Sequence, residues 1–344
     1  MTRHLKTGSL ATLTRRAAMM LGVAAAALVA LPALSEAQSL TLRYGHNNEP
    51  AGVAGAQADW FAEAVAKHSN GDIKVEVFPN SQLGKLQELA QAVSLGSIAI
   101  SHNTAGALGS LYEPFAALDT PYLYRDVDHL MKVMDVNSPV MQELNEGLID
   151  AANVRVLYAH YFGTRQLTAN QEVKSPADLA GVKIRAVPFP IYTTAVEGMG
   201  AVAVPVDWSE VPTALATGVV AGQENPVNVI LSVKLFEVQD YLMQTGHMSN
   251  AEVIVMNEDT WQGLTDAQKA AIEAAALETR ERATKAILDN EAAETDALRE
   301  KGMTVIGPDE GLDIAAFRAS VDKLVDERFG EKYGALYEKI RAVQ

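Results

Sequence analysis

Gly181-Val182-Lys183-Ile184-Arg185-Ala186-Val187-Pro188, Gly200-Ala201-Val202-Ala203-Val204-Pro205-Val206 and Gly218-Val219-Val220-Ala221-Gly222-Gln223-Glu224-Asn225-Pro226 follow one another in the middle of the chain. The runs at residues 182–186 and 201–206 are short, apolar and β-branched, which is how buried strands of an α/β sheet read. Ser175-Pro176 supplies a cap residue followed by proline at the first helical position, and Gly181 closes that short helix. A further helix is predicted over residues 209–217. Pro212 then falls in its first turn, where a missing backbone donor costs little.

The same grammar extends outward in both directions. Strands are predicted at residues 40–44, 73–77, 97–101, 154–159 and 253–256, and helices over 54–68, 85–95 and 127–148. Thr265 and Asp266 open a helical pattern without Gly or Pro that reaches Lys301. At a rise of about 1.5 Å per residue it is longer than one lobe is wide, so it either crosses two lobes or stands as a solvated amphipathic helix. Alternating strands and helices argue for an α/β architecture.

The first residues read as a leader: Arg3, Lys6, Arg15 and Arg16 precede an apolar run over 17–34, and Ser35 and Ala37 suit cleavage before Gln38. An uncleaved anchor is the competing reading. The route is open between the general exporter and, from Thr14-Arg15-Arg16, the twin-arginine one. Beyond residue 37 the chain carries 24 basic and 42 acidic residues, a net charge of −18, because the leader takes four of the 28 Lys and Arg and one of the 43 Asp and Glu. That balance argues against nucleic acid or anionic lipid as partner. No later stretch is apolar enough to span a bilayer, so the mature chain is expected to be soluble. There is no cysteine, which removes disulfides, thiolate metal sites and cysteine nucleophiles together.

Nucleophile elbows, His-Glu-x-x-His, phosphate loops and dinucleotide fingerprints are missing from the sequence. None of the seven histidines pairs with another at metal-ligand helical spacing. No cofactor or metal is expected. Arg185 stands at the end of a predicted strand, and strand ends form the crevice where ligands bind in open α/β sheets. Read from the residues alone, a structural ion pair or a solvated side chain is the favoured reading over a ligand contact.

Together with Gly163-Thr164-Arg165-Gln166, the three runs quoted first resemble the substrate-binding proteins of tripartite ATP-independent periplasmic (TRAP) transporters, of the dicarboxylate-binding type. The resemblance covers about residues 39–344. It implies a two-lobed periplasmic binding protein, type II-like, with interleaved lobes, a hinge and a long helix crossing both. The expected boundaries are 38–161 plus 251–290 for lobe I and 162–250 plus 291–344 for lobe II. It further implies that Arg185 clamps a carboxylate, a role suited to a planar fork of parallel donors that Lys cannot imitate. Arg165 is implied as a second cation on the same anion, and Asn225, held extended by Pro226, as an amide bonding the acid. Asn48 is the match for an Asn of the first lobe, and Asn103 and Thr104 fall in another contact region. Glu224 either accepts from substrate hydroxyls or braces a base. Glu88, Trp208 and Tyr161 are further candidates, with packing roles competing. Ala221 in place of the family's Asp and Pro212 in place of an aromatic residue are departures, and the second reshapes one wall of the pocket.

The expected function is that of an extracytoplasmic receptor that closes on a small organic acid and delivers it to the small and large membrane subunits of the transporter. It is expected to act as a periplasmic monomer and not as an enzyme. The amides, hydroxyls and acids among the candidates favour a hydroxylated sugar acid such as a uronate or aldonate. A C4-dicarboxylate, a periplasmic hydrolase or lyase, and a ligand-sensing partner of a signalling receptor remain as alternatives.

Overall fold

The computed structural model describes residues 1–2 and 40–344, so the expected leader lies, apart from its first two residues, outside them. The unit Ser39–Gln344 is organised on one mixed sheet. Its described strands are β1 (Leu40–Gly45), β2 (Ile73–Phe78), β3 (Ile100–Asn103), β4 (Val154–Ala169), β5 (Lys183–Ala186), β6 (Val202–Pro205), β7 (Gly222–Pro226), β8 (Tyr241–Asn257) and β9 (Thr304–Ile306). They run in the order β2-β1-β3-β8-β4-β7-β5-β6, with β9 added to β8.

The order divides the sheet into two lobes with a shared middle. β1 pairs in parallel with β2 and β3, and β3 lies antiparallel to β8 over Val253–Met256. On the other side β5 pairs in parallel with β6 and β7, and β7 lies antiparallel to β4 over Arg165–Ala169. β4 and β8 pair with each other from Val154↔Asn257 to Ala169↔Tyr241, passing from one lobe into the other. Register shifts between Val156 and Tyr158, Tyr161 and Gly163, and Arg165 and Leu167 bend this ribbon, as bulges do.

Sequence periodicity places most elements within a few residues, and the differences have physical causes. β4 and β8 are far longer than the predicted runs at 154–159 and 253–256. The extra residues include Gly163, Thr164, Arg165 and Gln166 on one strand and Gly246, His247 and Ser249 on the other, which interrupt any apolar run. The single helix expected over 127–148 is two, Val127–Val133 and Pro139–Ala152. Ser138 caps the second by accepting from Met141 N at 3.0 Å, and Pro139 cannot continue the first because it lacks the amide proton. The short helix after Ser175 is a 3-10 turn over Pro176–Leu179. β3 begins three residues later than expected.

Two long helices tie the lobes together. Asp266–Glu300 is capped by Thr265 and buries Ile272, Ala275 and Ala276 against Phe61 and Tyr158 at one end and Leu298 against Val211 and Ile230 at the other. Ala and Thr fill much of its buried face, which allows close approach to β4; Thr284 Oγ1 accepts from Tyr161 N, and Glu291 accepts from Thr164 N. The second, Ile314–Ala342, was not anticipated from the sequence. Its Phe317, Val321 and Val325 pack with Ile184 and Met199, whereas Phe329, Tyr333, Tyr337 and Ile340 pack with Phe115, Leu118 and Tyr124. The last turns of this helix therefore pack with residues from both expected lobes, since the same cluster also holds Val187, Phe189 and Tyr192. Among the described residues no helix is long and apolar enough to cross a membrane.

Candidate functional site

Arg185, Asn225, Asn103 and the loop after Gly45 stand at the C-terminal ends of β5, β7, β3 and β1, the ends at which open α/β sheets hold ligands. Arg185, the third residue of β5, is 2 % exposed. Its Nε donates to Val206 O at 2.9 Å, and its guanidinium lies 5.7 Å from the ring centroid of Trp208. Among the described residues no carboxylate lies within ion-pair distance of it, and its two terminal nitrogens donate to no protein acceptor. Burial, with Arg165 adding to it and Glu224 opposing it, pushes the Arg185 guanidinium down to about 10. A cation largely withdrawn from water with no carboxylate in contact is costly.

Arg165 has the opposite standing. β4 and β7 set Leu167 opposite Glu224 and Arg165 opposite Pro226, which brings the Glu224 side chain against the guanidinium. Arg165 Nε donates to Glu224 Oε2 and Nη2 to Oε1 at 2.9 Å, with a second Nη2 bond to Glu224 O at 2.7 Å. Nη1 donates to Asn250 Oδ1 at 3.3 Å, and the group lies 5.3 Å from the Tyr192 ring centroid. Burial acts to lower the affinity of Arg165 for its proton, but Glu224 outweighs it and the net direction is upward. Burial likewise works against the charge on Glu224, and Arg165 and His247 overcome it, holding the carboxyl down to about 2. Glu224 thus pairs with Arg165, and its Oε2 also lies 3.2 Å from His247 Nε2.

Asp119, Tyr192 and Asn250 continue this network across the lobes. Asp119 accepts from Gly106 N at 2.7 Å, Tyr192 Oη at 2.8 Å and Asn250 Nδ2 at 2.8 Å. Burial pushes its carboxyl up to about 6 against those donors.

The first-lobe candidates fare differently. Asn48 Nδ2 is used within the protein, by Glu252 Oε1 at 2.6 Å and Ala54 O at 3.1 Å. Its neighbour Asn47, not singled out from the sequence, lines a crevice of about 470 Å³ together with Asn80, Ser81, Trp208, Ser209 and Lys234. Asn103 is fully buried; Nδ2 donates to Ser101 Oγ at 2.8 Å, and Oδ1 receives no donor. Thr104 Oγ1 accepts from Ala107 N as a helix cap. Glu88 is exposed and accepts from Lys85 N at 2.8 Å, closing a capping box on the helix Leu86–Ser94. The structure does not bring Glu88 into the crevice, and its carboxylate has a local structural role. Asn225 Nδ2 donates to Gln223 Oε1 at 2.6 Å. Lys85 reaches from one lobe to Asp207 at 2.6 Å and Glu210 at 2.9 Å on the other.

Four buried polar groups that motif reading passed over stand side by side, His46 just past the end of β1 and His102, Glu252 and His160 on β3, β8 and β4. The pairing of Gly45 with Ser101 puts His46 beside His102, and that of His160 with Glu252 joins the other two. Glu252 lies 2.9 Å from His102 Nδ1 and 3.3 Å from His160 Nε2; burial opposes its charge, yet the two histidines hold it well below the usual carboxylate range. His102 Nε2 also contacts Asn47 Oδ1 at 2.6 Å, so this network props the crevice-lining loop. His46 is 1 % exposed, Nδ1 has no partner, and burial beside His102 lowers it to about 3, making it a neutral acceptor. Only strand register, not motif spacing, could have exposed this set. No cluster of three or more His, Asp or Glu among the described residues has metal-binding geometry.

A larger hollow of about 650 Å³ lies between residues 120–125 and the helix Ile314–Ala342, and it contains none of the candidate residues.

Comparison with known proteins agrees with this architecture. A solute-binding protein from Verminephrobacter eiseniae is 34% identical over 310 residues, 90% of each chain. A crystal structure of a TRAP periplasmic solute binding protein from Roseobacter denitrificans with bound L-galactonate is 31% identical; the match covers 89% of this chain and 99% of that one, with a TM-score of 0.82. One from a Polaromonas species, bound to D-erythronate, is 30% identical with the same coverage and TM-score. Residues 44–332 match the model of the bacterial extracellular solute-binding proteins, family 7, and the chain belongs to that family of TRAP transporter receptors.

Proposed function

We propose that this receptor takes a hydroxylated sugar acid, an aldonate or uronate, with its carboxylate end-on against Arg185. The observation that carries this reading is the buried guanidinium of Arg185, whose terminal donors no described acceptor satisfies. Arg165, fixed by Glu224, supplies a neighbouring donor. Asn225, Asn47 and Asn103 supply amides around the same crevice, and the unpaired Asn103 Oδ1 and His46 Nδ1 suit ligand hydroxyl protons. Relatives holding L-galactonate and D-erythronate support the same chemistry.

The hinge in this reading is the passage of β4 and β8 between lobes, near residues 161–165 and 248–251, which leaves residues 38–161 plus 251–290 as lobe I and the rest, save the end of the last helix, as lobe II. A ligand drives closure only through contacts that exist in the closed state, so both lobes must touch it. The acid is bound and released unchanged. The protein acts as a periplasmic monomer after removal of the leader, and the closed form docks on the small and large membrane subunits.

A thermal-shift screen of sugar acids, hydroxy acids and dicarboxylates tests this. A true ligand at one hundred times its dissociation constant adds about 2.7 kcal/mol of stability. Stabilisation by aldonates or uronates is expected, without loss of the ligand from solution. Stabilisation by none of the acids, or turnover of one, would contradict the reading.

A further inference from the structure

Charge counting in the interior limits what kind of acid fits. Arg165 and Arg185 are the only Arg or Lys side chains buried among the described residues. The first is cancelled by Glu224, which meets it with both carboxylate oxygens and its main-chain carbonyl. Only one Nη1 proton of that guanidinium is left over, enough for a single bond and not for a second carboxylate. Arg185 alone retains its charge.

The other buried charges nearby are acidic, and the cations around them stand at the surface. Asp119, in the hydrogen-bond network that joins Asn250 to Arg165, and Glu252, 2.9 Å from His102 Nδ1, are both buried acids. Lys85, at the rim, is held by Asp207 and Glu210. At the mouth the exposed Lys234 shares its wall with Glu49. One carboxylate therefore takes up the one buried guanidinium, among the described residues, that meets no carboxylate, and a second in the interior would lie near buried acids with no buried cation to receive it.

Resting on the reading of the crevice as an acid receptor, we propose that it is selective for monoanionic hydroxy acids and excludes diacids by charge. Aldarates and C4-dicarboxylates are rejected even when their length and hydroxyl stereochemistry match an accepted aldonate. The terminal carbon distal to Arg185 is read as a neutral hydroxyl or carbonyl end.

Matched pairs test this directly: galactonate against galactarate and gluconate against glucarate, titrated calorimetrically at pH 7.5, together with uronates and malate. The best monoacid is expected to bind about a hundredfold or more tightly than its aldarate, the scale set by leaving a buried charge unpaired. A third member of each set, the monoamide of the aldarate, has the size of the diacid without its second charge. It is expected to regain affinity to within about tenfold of the aldonate. A diacid binding as well as its monoacid overturns the proposal, and so does a monoamide as weak as the diacid, which would make the exclusion steric. Failure of every acid in all three groups would instead remove the receptor reading on which the proposal stands.

Discussion

Glu224 reaches Arg165 with both carboxylate oxygens and leaves Arg185 with none. Two guanidiniums of equal burial thereby acquire different work: one is a fixed wall, the other a free fork. The pairing also sets an acid limit on stability. Glu224 binds its proton less tightly in the folded chain, at about 2, than its ordinary 4.5. Between those values the unfolded chain holds more protons, so stability is present above about pH 4.5 and is lost as pH falls toward 2. Glu252 acts in the same direction. In urea unfolding, Glu224→Gln is expected to lose about 3 kcal/mol at neutral pH, because it leaves Arg165 buried and unpaired, and to show a shallower decline through that acid window. An unchanged pH slope would contradict this. The strand that carries Arg185 was legible in the sequence as an apolar run, but the pairing of Glu224 with Arg165 was not. That pairing depends on β4 continuing past Gly163, which no apolar run signals.

At the scale of elements, the β4–β8 ribbon is what makes one sheet serve two lobes. Gly163 sits at its bend with φ of 128°, and a Cβ there would lie 2.5 Å from Pro226 Cβ. Both features exclude a side chain, so Gly163→Ala is expected to destabilise by at least about 2 kcal/mol, read as a lower urea midpoint. A midpoint unchanged from the parent would show that the bend is not held as described. Periodicity found β1, β2, β5, β6 and the helix Asp266–Glu300, where apolar spacing and caps agree. It failed at 127–148, where Asn137-Ser138-Pro139 breaks a continuous pattern, and at the helix Ile314–Ala342, whose buried residues come from two separate cores.

For the whole molecule, a net charge of −18 over the residues beyond 37 coexists with a buried guanidinium, that of Arg185, that meets no carboxylate. Surface charges are screened over about 8 Å at physiological salt, whereas a desolvated guanidinium acts at contact distance. In the proposed reading, affinity and closure both depend on this guanidinium, the one buried cation among the described residues that meets no carboxylate, more than on the surface total. Titration calorimetry of Arg185→Lys with a sugar acid that binds the parent protein tests this most directly. Lys keeps the charge and loses the paired donors, so the account predicts affinity reduced more than about tenfold in a variant that still unfolds cooperatively. A folded Arg185→Lys variant binding the acid as tightly as the parent would contradict it.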